Sequence, residues 1–263
     1  MIQTTFDEMG MSLEEKIIWA VDLLKGHQEL ALRRDPQHGY YLAFSGGKDS
    51  VVIKALADMS GVKYQAHYHI TTIDPPELVK FIRHRHPSVV MDRPRKGPFF
   101  RRLLLKGLPT RRARWCCAEF KEGGGKGKIT ILGVRHAESV SRRKLWKPLT
   151  ALSSAKVTVN PILFWTDSDV WEFIKSRKIP YCGLYDEGFH RLGCVGCPMA
   201  GSGRIAEFER WPALHKAWMR AAKKYWETTT HKSARRFETW QAMWDWWLHD
   251  QPYPHDDCNI GLF

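Results

Sequence analysis

The chain has 263 residues, 43% of them hydrophobic, long enough to bury one full core and append a smaller part to it. No apolar run reaches the 18 residues of a membrane span, and no basic-then-apolar leader follows Met1, so a cytoplasmic protein without membrane association is expected. The 41 Lys plus Arg against 28 Asp plus Glu give a formal charge of +13, which suits a polyanionic partner without naming one.

Ser12-Leu13-Glu14-Glu15 is a capping box, and Ile17, Ile18, Val21 and Leu24 behind it predict an amphipathic helix ending near Gly26. The apolar stretch Tyr40-Tyr41-Leu42-Ala43-Phe44 predicts a first strand. It runs into the turn Ser45-Gly46-Gly47-Lys48-Asp49-Ser50, and a helix follows, marked by Val51, Val52, Ala55, Leu56 and Met59. A glycine pair at such a junction lets backbone N–H groups approach an anion, the helix turns its positive end to the same point, and Lys48, Ser45 and Ser50 add donors. The turn therefore reads as a phosphate cradle, with an ordinary Gly-Gly strand-to-helix turn as the bland alternative. It lacks the eight-residue Gly-x-x-x-x-Gly-Lys-Ser/Thr form that wraps a β-phosphate, which disfavours γ-phosphate transfer.

Residues 62–70 predict a second strand, and the Thr71-Thr72-Ile73-Asp74-Pro75-Pro76-Glu77 loop then delivers a helix over 76–85. A short third strand is expected at 88–91 and a fourth over 128–135, through Ile129, Ile131, Leu132 and Val134. Strands alternating with helices predict an α/β fold, a doubly wound and mostly parallel sheet with a helical C-terminal part. Ligands of such sheets bind beyond the carboxyl ends of the strands, so the loops after Phe44, Ile70 and Val134 should converge on one crevice, with Asp74 at the second of them. Between the third and fourth strands, 93–127 is basic, aperiodic and glycine-rich at Gly123-Gly124-Gly125, and reads as one long functional loop. Nine basic residues and no acidic one fall within 93–114, namely Arg93, Arg95, Lys96, Arg101, Arg102, Lys106, Arg111, Arg112 and Arg114. They read as a solvated basic face or as a surface for nucleic acid or another large anion. Thr166 caps a further helix whose buried stripe is Val170, Trp171, Phe173 and Ile174. The pattern over 205–248 is helical, broken at Pro212, and carries seven of the twelve tryptophans; Trp240, Trp244 and Trp247 at helical spacing read as packing rather than base stacking.

Six cysteines in a cytoplasmic chain argue against a disulfide framework, and four of them form two tight pairs, Cys116-Cys117 and Cys194-Val195-Gly196-Cys197. Pairs of this kind point to a metal centre. Adjacent cysteines reach one centre only where the backbone bends, whereas Cys-x-x-Cys bites one easily. Tetrahedral zinc and a [4Fe-4S] cluster both accept four thiolates. Structural zinc usually takes two Cys-x-x-Cys knuckles, so the tandem pair favours iron and sulfur, with zinc the lesser alternative. The expected domains are 1–200 for a nucleotide-binding α/β part with its metal site, 201–250 for a Trp-rich helical extension, and 251–263 for a tail.

These residues carry a resemblance. Ser-Gly-Gly-x-Asp-Ser after a first strand resembles the PP-loop of ATP pyrophosphatases, which cut between the α- and β-phosphates. The two cysteine pairs belong to a wider set of segments: Trp115-Cys116-Cys117-Ala118-Glu119-Phe120-Lys121, Gly133-Val134-Arg135-His136-Ala137-Glu138-Ser139, Trp165-Thr166-Asp167-Ser168-Asp169-Val170-Trp171, and Ile179-Pro180-Tyr181-Cys182-Gly183-Leu184-Tyr185-Asp186 leading to Gly193-Cys194. Over about residues 40–198 this set resembles the phosphoadenosine phosphosulfate (PAPS) reductase family, and the resemblance implies an adenine nucleotide alpha hydrolase-like fold. In its cluster-bearing members, the adenosine phosphosulfate reductases and the DNA phosphorothioation enzymes, four cysteines hold [4Fe-4S]. The resemblance thus implies Cys116, Cys117, Cys194 and Cys197 as ligands, with Lys121 near the cluster and the substrate's charge. Two departures matter. The reductases have usually lost the Gly-Gly-Lys-Asp series that is intact here, and their catalytic C-terminal Glu-Cys-Gly-Leu-His segment is absent, the late cysteine being Cys258 in Asp256-Asp257-Cys258-Asn259-Ile260-Gly261. Cys258 reads as an incidental tail cysteine and Cys182 as packing.

The expected function is an ATP pyrophosphatase that adenylylates an acceptor for sulfur transfer. Pyrophosphate would lie on the backbone of Gly46, Gly47 and Lys48, Mg²⁺ would bridge it to Asp49, and adenosine would lie near Phe44 and the loop that ends at Asp74. Lys48, Asp49 and Arg135 are the expected catalytic residues, with Ser45, Ser50, Gly133, Arg142 and Arg143 completing the nucleotide contacts. DNA or RNA is the favoured acceptor, and the family suggests a persulfide partner such as a cysteine desulfurase; the oligomeric state stays open, a homo-oligomer included. The rival reading is a thioredoxin-dependent reductase of PAPS or adenosine phosphosulfate that uses Cys258. A third is a non-catalytic nucleic-acid-binding subunit with a vestigial loop.

Overall fold

The computed structural model of the protein describes residues 10–252. In chain order the elements are α1 (Leu13–Gly26), α2 (Gln28–Arg34), β1 (Tyr40–Ala43), α3 (Lys48–Ser60), β2 (Tyr64–His69), α4 (Pro76–Arg85), β3 (Val90–Asp92), α5 (Phe99–Lys106) and α6 (Trp115–Phe120). They continue with β4 (Ile129–Ile131), α7 (Val140–Leu145), β5 (Leu149–Ser153), β6 (Lys156–Val159), α8 (Asp167–Ser176), α9 (Gly203–Arg210), α10 (Pro212–Thr228) and α11 (Trp240–Leu248). The strands form one six-stranded sheet in the order β3-β2-β1-β4-β6-β5, parallel except for the antiparallel β5–β6 pair at one edge.

That order places a reversal at β1. The chain builds outward through β2 and β3, then returns to add β4 on the other side of β1, so the crevice of an open α/β sheet falls where β1 and β4 end. Register lines up Ala66, Leu42, Ile131 and Val159 in one buried row across the sheet, and Tyr41, Thr130, Thr158 and Thr150 in the next. The expected caps are present. Ser12 and Glu15 form a capping box on α1, Thr166 and Asp169 form one on α8, and Asp169 also receives Lys16 at 2.7 Å.

The chain groups into two compact units rather than dividing at residue 200. Among the described residues the first comprises 10–69, Pro76–Asp92 and Gly123–Leu192, and contains the whole sheet. Among the described residues the second comprises Ile70–Pro75, Arg93–Glu122 and 193–252, and is helical. Its core is aromatic: Trp218 lies 4.8 Å from both Phe99 and Trp247, and Trp247 lies 5.1 Å from Trp244. Trp244 and Trp247 are therefore packing residues, as their spacing predicts, whereas Trp240 is half-buried at the helix start. The long loop expected over 93–127 instead contains α5 and α6, cut short by Pro98 and Gly107 and by the bend after Phe120. The β5–β6 hairpin is an addition to the expected strands, and the fourth strand ends at Ile131, earlier than its apolar pattern suggests.

His86 carries a pH prediction. Its imidazole is buried between Phe44, 4.9 Å away, and Phe81, 5.2 Å away, and burial, with Lys54 adding to it, pushes its pKa down to about 4. An unfolded imidazole takes its proton near 6.5, so this contribution is complete above that pH and is lost as pH falls from 6.5 towards 4. Urea denaturation should show about 2 kcal/mol less stability at pH 5 than at pH 6.5 from this group. His86→Phe should flatten that slope, and an unchanged slope would assign the effect to other groups.

Candidate functional site

The 45–50 turn sits at the sheet reversal. Gly46 adopts φ +75°, and a Cβ there would lie 2.7 Å from Leu78 Cδ1 and 2.8 Å from Ile82 Cδ1, so the turn is pressed onto α4 at a point only glycine allows. Gly47 is the N-cap of α3 and offers no side chain, which leaves the helix's positive end to backbone groups. The serines shape the turn from inside. Ser45 Oγ accepts the Gly47 N–H at 3.3 Å, and Ser50 Oγ donates to the Gly47 carbonyl at 2.8 Å. Ser50 is buried, so its hydroxyl braces the turn instead of facing a ligand. The Lys48 N–H donates to the Tyr185 hydroxyl at 2.8 Å, a contact spanning 137 residues of sequence. Tyr185 is set by the 3-10 turn Gly183–Tyr185 and by an edge-on contact with Trp171 at 5.1 Å, and burial raises its phenol so that it stays neutral.

Four charges converge beside this turn. Lys48 Nζ lies 3.1 Å from Asp167 Oδ1 and 4.0 Å from Asp49 Oδ2. Arg135, only 4% exposed, places Nε 2.7 Å from Asp49 Oδ1 and donates from Nη2 to Asp167 Oδ1 at 3.1 Å. The Nε–H does not aim along the Asp49 contact, which makes that pair coulombic rather than a formed hydrogen bond. Gly133 is small for a visible reason: a Cβ there would lie 3.2 Å from the Asp49 Cβ and carbonyl oxygen, which places Arg135 two residues later against α3. Burial alone would raise the Asp167 carboxyl, but the Lys48 hydrogen bond and the charges of Lys48 and Arg135 outweigh it and hold the group below its ordinary value.

Phe44 is 3% exposed and packs on His86, which leaves its backbone as the part able to meet a ligand. Arg142 on α7 pairs with Glu138, and Arg143 is exposed. Asp74 belongs to the second unit, where it accepts the Thr71 N–H and hydroxyl, both at 2.7 Å. Asp49 is a poor fit for the Mg²⁺ expected there, because Arg135 and Lys48 already flank its carboxylate and a further cation would compete with both.

The four paired cysteines all lie in the second unit, not with the sheet. Cys116 and Cys117 occupy the first turn of α6. Cys194 and Cys197 flank a turn whose Gly196 adopts φ +77°. That turn is held by Val195 N–H on the Ile73 carbonyl (2.9 Å), Gly196 N–H on Glu207 Oε2 (2.7 Å) and Trp218 Nε1–H on the Val195 carbonyl (3.1 Å). The Cys194 thiol donates to Thr71 Oγ1 at 3.4 Å. A hydrogen bond between Cys116 and Cys117 raises the first thiol and lowers the second, and burial pushes Cys116 further up. Lys121 is exposed, and the neighbouring Cys194 sulfur raises its pKa. Among the described residues no three His, Cys, Asp or Glu side chains are grouped as a metal ion requires.

The phosphoadenosine phosphosulfate reductase domain matches residues 39–200, which include the turn, Arg135, Asp167, Tyr185 and all four paired cysteines. The chain belongs to that family. Membership supports an enzyme family that binds nucleotides, at that level of description. An uncharacterized protein of Methanocaldococcus jannaschii is 30% identical to this PAPS reductase family member over 228 residues, 81% of this chain and 53% of that one. The adenosine 5'-phosphosulfate reductase of Allochromatium vinosum is 31% identical over 128 residues, 44% of this chain and 45% of the enzyme. The chain spans about half the length of the curated relatives it matches. Two solved structures are similar in fold: the PAPS reductase of Candida auris in a phosphate complex (TM-score 0.47, 14% identity, 71% of this chain and 97% of that one) and the FMN adenylyltransferase of Candida glabrata with FMN and an ATP analogue (TM-score 0.49, 19% identity, 74% and 68%).

Two residues beside the family's first loop escape a reading by motif. Asp167 reads in sequence as an acidic first turn of a capped helix, and Tyr185 as part of a family segment, yet the fold delivers both to Lys48. Cys258 lies outside the described residues.

Proposed function

We propose that the chain is an ATP pyrophosphatase that adenylylates an acceptor for replacement of oxygen by sulfur. The observation that carries this reading is the intact 45–50 turn at the sheet reversal, with Lys48 and Arg135 beside its backbone donors. In the reaction an acceptor oxygen attacks the α-phosphorus, the bond to the bridging oxygen of the β-phosphate breaks, and the electron pair leaves with pyrophosphate. The turn's amides and the two cations stabilise charge growing on pyrophosphate, in a site built before the substrate arrives. A sulfur nucleophile then bonds to the acceptor, and AMP departs with the former acceptor oxygen and its electron pair.

On this reading Cys116, Cys117, Cys194 and Cys197 would hold a [4Fe-4S] cluster. All four thiols belong to the second unit, and the thiol set suits iron and sulfur, with zinc the lesser alternative. When bound, such a cluster supplies iron that can hold or polarise sulfur. The exposed Arg93, Arg95, Arg101, Lys106, Arg112 and Arg114 favour DNA or RNA as acceptor, whereas Arg102 and Lys96 are turned to Glu119. A persulfide-bearing partner such as a cysteine desulfurase would supply the sulfur.

The adenosine 5'-phosphosulfate reductase relatives favour a second reading, in which the turn holds a sulfonucleotide. One anaerobic experiment separates the two. Protein with its iron and sulfide measured is scanned for thermal stabilisation by ATP, PAPS and adenosine phosphosulfate, then assayed for AMP and pyrophosphate with and without nucleic acid. Stabilisation by ATP together with AMP formation is expected; stabilisation by the sulfonucleotides alone would replace the proposal with the reductase.

A further inference from the structure

Asp167 makes contacts that a ligand phosphate would make. A single carboxylate oxygen, Oδ1, lies 3.1 Å from Lys48 Nζ and 3.1 Å from Arg135 Nη2, the two cations flanking the turn. The Tyr185 hydroxyl meanwhile accepts the Lys48 N–H, the first backbone donor of α3. Both are ligand-like oxygens supplied by the protein itself. They differ in how firmly they are held: Tyr185 is seated against Trp171, whereas the Asp167 side chain is 62% exposed and sits in the first turn of α8, where a side-chain rotation frees it into solvent.

Charge accounting gives this a consequence. With Asp167 in place, Lys48 and Arg135 face Asp49 and Asp167, two positive groups against two negative ones. A lone tetrahedral anion such as sulfate, too short to reach both cations and the turn's amides together, gains little from a balanced site. A di- or triphosphate, with several charged oxygens, can displace the carboxylate and engage both cations as well as the turn's amides.

We propose that Asp167 is a specificity-determining residue of the turn: it occupies an oxygen position between Lys48 and Arg135, so that polyphosphate chains displace it and a lone tetrahedral anion such as sulfate does not. This rests on the reading of the turn as a phosphate site. Because Asp167 is mostly exposed, its competition is modest, worth roughly a tenfold change in affinity.

The test is titration calorimetry of the full chain with inorganic pyrophosphate, ATP and inorganic sulfate, at fixed ionic strength, on wild type, Asp167→Asn and Lys48→Ala. Asp167→Asn should bind pyrophosphate and ATP roughly tenfold more tightly and should begin to bind sulfate, narrowing the gap between the anions. Lys48→Ala should weaken all of them. If wild type binds pyrophosphate and Lys48→Ala does not, while Asp167→Asn binds as tightly as wild type or more weakly, the turn remains a phosphate site and the role of Asp167 is overturned. If none of the three proteins binds any probe at millimolar concentration, the phosphate reading itself fails, and the proposal with it.

Discussion

Lys48→Ala should release pyrophosphate from ATP at least about a hundredfold more slowly than wild type, with little change in stability. The partner it abandons, Asp167, is 62% exposed and returns readily to water, so urea denaturation should shift by no more than about 1 kcal/mol. Arg135→Ala makes the informative contrast. Its guanidinium is almost fully buried and neutralises Asp49 as well as Asp167, so its removal leaves Asp49 with Lys48 alone at 4.0 Å. That variant should lose activity and also about 2–3 kcal/mol of stability. The two substitutions thus separate a cation serving the substrate from one that also holds the site together. Pyrophosphate release from Lys48→Ala within threefold of wild type would remove Lys48 from the machinery.

What could be read from sequence here follows the range of the interactions. The Gly46-Gly47 turn was legible because its reasons are local: a strand, a positive φ and a helix start lie within a few residues. The caps of α1 and α8 were legible for the same reason. Asp167 and Tyr185 were not, since nothing near them in sequence says that β6 and the 3-10 turn bring them to Lys48. Helix α5 was hidden by length: Phe99-Phe100 and Leu103-Leu104-Leu105, divided by two arginines, lie in a helix of eight residues, too few for a period to emerge before Gly107 ends it. Edge strand β5 exposes most of its residues and turns into β6 through Ser154-Ala155, which carries no glycine to announce a hairpin. The cysteine pairs stood out by spacing. That all four join the helical unit depends on packing, through contacts such as Trp218 on Val195, that no spacing encodes.

Gly196→Ala should be the most damaging single-methyl change in the second unit. The new Cβ would lie 2.8 Å from the Phe208 ring and 2.9 Å from Trp218, and the backbone at φ +77° is one that a side chain resists. Neither ring can retreat easily: Trp218 is fully buried against Phe99 and Trp247, and Phe208 is stacked on His215 at 4.6 Å. Overpacking and left-handed strain together should cost about 2–4 kcal/mol, a fall of roughly 5–10 °C in Tm. The Trp218 hydrogen bond to the Val195 carbonyl is the contact most exposed to this shift, and it helps fix the turn between Cys194 and Cys197. Bound iron after anaerobic reconstitution should therefore fall along with Tm. Gly193→Ala supplies the control, because a Cβ there meets nothing within 4 Å, and that variant should keep both its iron and its melting temperature. Equal behaviour of the two variants would mean that the turn owes its shape to the thiols' ligand and not to the aromatic core beneath it.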